Sequence, residues 1–590
     1  MRFPSIRHLA ILIPMLAALG ADAAPADDLQ KRRDALKALL AEHWEYGLST
    51  SPEYATSIGD KRWNDKISDY SEAQIERELA KSREYLARFE AIDTAGFPEQ
   101  EALNKELMVR DLRQGQEGAR FRNWLMPVSQ FLGVHLAIPQ IVSQFTFTSA
   151  KDYRDLAARY RQYPTAFEQV TARMRKGMAA GLMPPKFLLE KVVGQVEGIA
   201  SAKPEDSPFA EPLKRFPAEI PAAEQEKLRA EVLAAVRDHM LPAYARFGRF
   251  LKEEYVPKGR TEVGIWSLPD GAERYAFRVK IFTTTDLTPE QIHQIGLQEV
   301  ARIEGDMLEI AKKLGHQDLK SFNAAIEKNP DLRPKSGEQM LEMYRRYLDR
   351  MSAKLPQLFG RLPKAKMEVI PVEKYREKEA AAAQYYQPAP DGSRPGRVLV
   401  NTSDHEKRKT LTIESTAYHE GVPGHHLQIA IAQELEGLPP FRQQGDYTVF
   451  SEGWGLYSER LGKEVGFYQD SYSDYGRLQD EMLRAIRLVV DTGLHYKRWS
   501  RDQVIQYFRD HSALDEVDIQ AETDRYIVWP GQAVSYKIGQ LKILELRERA
   551  KKALGDKFDV RQFHDQVLGA GALPLDVLEA RIDAWMAPSP

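Results

Sequence analysis

From Asp27 to about Phe121 the apolar residues recur at helical spacing. Leu36, Leu39, Leu40 and Trp44 follow one another three or four apart, and Ser71-Glu-Ala-Gln-Ile opens a second amphipathic run. Ser51-Pro52 and Gly96-Phe-Pro98 mark the breaks between such helices. Residues 149–180 and 222–255 predict two more long helices, the second starting after Pro221. Between them, 183–220 carries prolines at 184, 185, 204, 208, 212 and 217 and reads as an irregular connection.

The pattern changes near Gly264. Tyr275 to Thr284 alternates and is rich in β-branched and aromatic residues, which predicts a strand. Thr288-Pro-Glu-Gln then has the N-cap and first-turn proline of a long helix, 288–315, followed by another at 337–359. Met367–Ile370 and Arg397–Asn401 predict two further strands, with Ala383-Gln-Tyr-Tyr386 and a turn at Pro390-Asp-Gly392 between them. From Thr410 onward the periodicity is helical again. The fold class is therefore mainly α, with a small sheet just upstream of the chain's histidine cluster. An exposed edge of such a sheet can add an extended peptide as a further strand.

The 590 residues exceed one simple core and predict a single large two-lobed body over 24–590. Its sheet would lie within about 264–401, with helices at 410–463 and 475–587. A hydrophobic content of 43%, 29% charged residues and a net charge of -3 describe a soluble protein without the basic footprint of a nucleic-acid binder. With no cysteine there are neither disulfides nor thiolate ligands. Arg2 and Arg7, the apolar run Leu9–Leu19 and Ala21-Asp-Ala23 predict a secretory leader, residues 1–23, cleaved after Ala23. The absence of a cysteine after it predicts a periplasmic or secreted product that is not a lipoprotein. No later stretch is apolar enough to cross a bilayer, so no stable membrane insertion is expected. Oligomeric state is not encoded in any pattern of this kind.

The chemistry concentrates in Tyr418-His-Glu-Gly-Val-Pro-Gly-His-His-Leu427, which holds three of the 13 histidines. A second acid follows in Ser451-Glu-Gly-Trp-Gly-Leu-Tyr457. Two histidines and a later Glu, with a non-ligand Glu beside the first His, are the parts of a catalytic Zn2+ site. No His-Glu-x-x-His occurs, because position 423 is proline. On a regular helix His426 lies about 20° off the face of His419, and His425 about 120° off. Gly421, Pro423 and Gly424 argue against a regular helix, and with those residues looped out His425 becomes the partner. The expected metal ligands are His419, His425 and Glu452, with His426 the alternative to His425. Glu420 is the expected general base. Asp491 and His495 share a helical face. Either His495 donates to a developing oxyanion or Asp491 orients a metal-bound imidazole.

These segments, together with Asp491-Thr-Gly-Leu-His495, Trp499 and Trp529-Pro-Gly-Gln-Ala-Val-Ser-Tyr-Lys-Ile-Gly539, resemble the bacterial "domain of unknown function 885" family over nearly all of the chain after the leader. That family is similar in turn to helical zinc peptidases of the thimet-oligopeptidase and Taq-carboxypeptidase kind. The resemblance implies two lobes flanking a channel and a Tyr that steadies the transition state, here Tyr536. The His-Glu-x-x-x-x-His spacing departs from the peptidase pattern. Arg525 and Lys537 are candidates for a peptide's terminal carboxylate, and Tyr385 for a further substrate contact. The function expected is an exported zinc peptidase acting on short peptides. The alternatives are an amidase for cell-wall peptides and a non-catalytic peptide-binding protein.

Overall fold

The computed structural model describes residues 26–587 apart from 375–376, 378–379 and 390–391. The expected leader and residues 390 and 391 of the expected turn lie outside these. The architecture is mainly helical, with one three-stranded sheet. Among the described residues no helix is long and apolar enough to cross a membrane.

Two sequence expectations fail. The predicted strand at 275–284 is part of helix α1, Gly271–Thr283. Its alternation is real, but Gly271, Tyr275, Val279 and Thr283, each four residues on, form a buried row, with Arg274 and Phe277 also buried. That stripe is a helix face, and packing overrides the strand preference of the individual residues. The supposed connection 183–220 contains a helix, Lys186–Ala200, that buries Leu188, Leu189, Val192 and Val196. Pro184 and Pro185 precede its first turn, where a proline costs no hydrogen bond, and the other prolines follow its end. The run at 222–255 is helical throughout but contains two π-turns, Val236–Met240 and Leu251–Tyr255.

Helix α2, Pro289–Lys313, starts as expected, with Thr288 and Gln291 forming a reciprocal capping box. Strands β1 (Met367–Pro371), β2 (Ala383–Tyr386) and β3 (Gly396–Val400) form a sheet of order β1-β3-β2. β3 pairs parallel with β1 and antiparallel with β2. Its Val398, Leu399 and Val400 are buried, as suits a central strand covered on both faces.

The remaining chain supplies helices α3 (Ile413–Glu420), α4 (His425–Gln433), α5 (Thr448–Glu464), α6 (Ser471–His495), α7 (Glu516–Val528) and α8 (Ser535–Leu554). One apolar cluster contains Tyr418 of α3, Leu427 and Ile431 of α4, Trp454 and Leu461 of α5 and Ile538 of α8. A separate cluster takes its buried members from residues 128–256, with Ile67 and Tyr70 packed against it. The histidine-bearing helices are thus anchored in one continuous core, which fixes where their ends can point.

Candidate metal centre

The histidine motif spans two helix ends. α3 stops at Glu420, the chain turns through Gly421, Val422, a cis Pro423 and Gly424, and α4 begins at His425. The amide of Gly424 donates to the Tyr418 carbonyl at 2.9 Å and that of His426 to Gly421 at 3.0 Å. A side chain at 424 would overlap the carbonyl oxygens of Tyr418 and His419, so only glycine closes this turn. The buried indole of Trp454 donates to the Pro423 carbonyl at 2.9 Å, tying the turn to α5. On the same helix Gly455 faces the His419 ring, and a Cβ there would come within 2.7 Å of it. Gly453 meets Gly539 of α8 backbone to backbone. Each residue of Glu452-Gly-Trp-Gly455 therefore has its own task at the site.

The result is that one donor atom each from His419, His425 and Glu452 lies within 4.8 Å of the others. Glu452 Oε2 is 3.3 Å from His419 Nε2 and 3.4 Å from His425 Nε2. Charge-assisted hydrogen bonds would be about 2.7–2.9 Å long. Two donors on a tetrahedral zinc, at ligand distances of about 2.0–2.2 Å, stand about 3.3–3.5 Å apart. The three groups thus have the spacing of ligands to a common ion. His425 Nδ1 is buried with no protein partner, so that ring is not committed elsewhere. Burial alone would lower the His419 pKa, but Glu452 and Glu459 outweigh it and raise it to about 10. Burial also works against a charge on Glu452, and the two imidazoles overcome it, holding the carboxylate well below its ordinary range. The field that favours a positive charge on His419 favours a cation beside it.

Glu459 escaped the sequence reading. Its carboxylate sits 2.8 Å from His419 Nδ1, so it holds the imidazole with Nε2 turned to Glu452. The signal was present: Glu459 lies seven residues after Glu452, about 20° from the same helical face. Glu420 ends α3 half-buried, and its charge also reaches His419. Tyr536 of α8 lies parallel to the His419 ring, centroids 6.5 Å apart. Its hydroxyl accepts hydrogen bonds from Arg525 at 3.2 Å and Gln532 at 3.4 Å.

Other predicted residues lie elsewhere. His426 is turned to the sheet: its Nε2 donates to the Ala365 carbonyl and its Nδ1 accepts from the Tyr385 hydroxyl at 2.9 Å. Burial keeps it neutral, with a pKa of about 4. Tyr385 is committed to that bond and serves to position α4. His495 is a buried tie, accepting from the Ile265 amide and donating to the Tyr526 carbonyl at 3.0 Å each, so neither nitrogen is left for an oxyanion. Asp491 orients no imidazole; it accepts from the Tyr275 hydroxyl at 2.7 Å and from the Gly531 amide.

Burial pushes Asp491 up to about 7 against these bonds. The folded chain keeps a proton there that the unfolded chain releases near pH 4. This contribution to stability is complete below about pH 4 and is lost as pH rises through 7. Asp491→Asn is expected to gain stability over the parent between those values, by on the order of 2–4 kcal/mol. Denaturant titrations across the range, compared pairwise, measure it; parallel curves would refute it.

Lys537 follows Tyr536 in sequence yet points the other way. Its side chain is fully buried, with Nζ 2.9 Å from Glu299 and 2.7 Å from Glu481, and so it is committed to these carboxylates. Removing it takes one cation from Glu299 and Glu481, which keep Arg302 and, for Glu481, Arg477, and Lys537→Met is expected to cost about 1.5–3 kcal/mol in urea unfolding while metal content is unchanged.

A family described as "Bacterial protein of unknown function (DUF885)" matches residues 52–582. A structure described as "the putative lipoprotein from Colwellia psychrerythraea" is 32% identical, with TM-score 0.89, covering 94% of this chain and 99% of that one. Another, described as "a putative lipoprotein of unknown function from Shewanella oneidensis", is 18% identical, with TM-score 0.69, covering 93% of this chain and 99% of that one. A "putative oligoendopeptidase F from Bacillus anthracis str. Ames" reaches TM-score 0.28 at 11% identity over 86% of this chain and 96% of that one, a likeness that carries no weight. No curated protein matches. The descriptions of the first two structures overturn the expectation of a product that is not a lipoprotein. The missing cysteine on which it rested bears only on attachment at a cysteine of this sequence.

Proposed function

The chain belongs to the DUF885 family of bacterial proteins, and on that premise we propose that it is a zinc-dependent peptidase. The observation that carries this reading is the 3.3 and 3.4 Å spacing of Glu452 to two imidazoles of a donor set, His/His/Glu, suited to zinc. When bound there, the ion supplies Lewis acidity and makes water a nucleophile near neutral pH. Glu420, beside His419 and not a ligand, takes a proton from the attacking water and returns it to the departing amine. The Tyr536 hydroxyl is held as an acceptor by Arg525 and Gln532. Its own proton is therefore free to meet the charge that develops on the carbonyl oxygen. Glu459 keeps His419 from rotating away as charge shifts.

The test uses purified protein, metal analysis and a mixture of short peptides followed by mass spectrometry. Zinc at about one ion per chain is expected, with cleavage lost on chelation and restored by zinc. Peptide binding without turnover by the zinc-loaded protein, or cleavage indifferent to chelation, would overturn the reading.

A further inference from the structure

Beyond Tyr536 lies a pair of arginines with too little countercharge. Arg487 of α6 sits with its guanidinium 4.5 Å from the centre of the Tyr536 ring, and Arg525 of α7 bonds that residue's hydroxyl. Both turn to the same carboxylate, Glu522, at 2.9 Å from Arg487 and 3.5 Å from Arg525. Arg487 also reaches the Tyr526 hydroxyl, yet its Nη1 is buried without a partner. Arg487 is only 4% exposed. Two guanidiniums against one acid leave a surplus positive charge, and a buried charge of this kind is stable only when something pairs with it. The region is not sealed: the side chains of Arg525 and Glu522 keep 19% and 21% of their surface, about as much as the 19% of Glu452.

We propose that Arg487 and Arg525 receive the terminal carboxylate of a peptide, which makes the enzyme a carboxyl-end exopeptidase. The inference rests on the peptidase reading and names its substrate class. A guanidinium offers paired N–H donors matched to a carboxylate's two oxygens, and a buried, under-compensated pair binds such a group better than any neutral one. The Tyr536 ring is 6.5 Å from His419, and its hydroxyl is 3.2 Å from Arg525. Arg525 is therefore within about 13 Å of the His419 ring, a span that extended chain covers in three or four residues. The bond broken lies one to three residues from the end. Water adds across that C–N bond, hydroxyl to the carbonyl carbon and proton to the amine, releasing a short carboxyl-terminal fragment.

The experiment measures binding apart from turnover. Zinc-loaded Glu420→Gln protein is titrated calorimetrically with one peptide as its free acid, as its terminal amide, and as an amide with glutamate last. The acid is expected to bind about ten- to hundredfold tighter than either amide. Arg525→Gln should erase the preference, and Glu522→Gln should enlarge it, a gain that misfolding does not produce. Equal binding of acid and amide, a preference that survives Arg525→Gln, or recognition of the glutamate amide overturns the proposal. Wild-type turnover separates the two claims. Cleavage of acid and amide alike at internal bonds keeps the peptidase and removes this site. An acid preference with no cleavage keeps the carboxylate site and removes the peptidase.

Discussion

Glu420→Gln is expected to keep its zinc and lose about 10²–10⁴ of kcat/KM, the usual contribution of a positioned general base. A thousandfold loss corresponds to about 4 kcal/mol of transition-state stabilisation. The amide matches the carboxylate in shape but cannot accept a proton. Glu420 ends α3 outside the trio His419, His425 and Glu452, so the ligand set survives the change. Steady-state assays beside metal analysis give both readouts. Activity within tenfold of the parent would remove Glu420 from the reaction. Loss of zinc would instead make it a ligand.

The second large effect concerns the adjacent histidines. His425→Ala takes away one of three protein donors, and zinc affinity should fall by more than the 10–100-fold that loss of an outer partner costs. His426→Ala leaves the donors untouched and forfeits the bonds to Tyr385 and Ala365, for about 1–2 kcal/mol of folding stability. Competition with a chromophoric chelator ranks the two variants. Equal or reversed losses of zinc would mean that the wrong histidine has been assigned.

Much of this centre was legible because its parts are close in sequence. His419, His425 and the later Glu452, which the fold brings together, could be read from residue type, and the Gly-Pro-Gly interruption argued for His425 over the helical choice, His426. Direction was less legible. Successive residues on a helix point about 100° apart, so Tyr536 can flank His419 while Lys537 enters an ion-pair network behind it. His495 likewise carries the right chemistry, but the backbone of Ile265 and Tyr526 takes up both nitrogens, and neither neighbour is near in sequence. Tyr275 to Thr284 satisfied a two-residue and a four-residue period at once, and only the surroundings of α1 decide between them.

The contact of Gly453 with Gly539, and of Gly455 with the His419 ring, brings α5 close against α8 on one side and against the end of α3 on the other. Interiors packed at this density behave as bistable or rigid, not as continuously deformable. α3, α5 and α8 must therefore travel as one block. A motion that opens the proposed site to a peptide is expected to hinge outside these three helices.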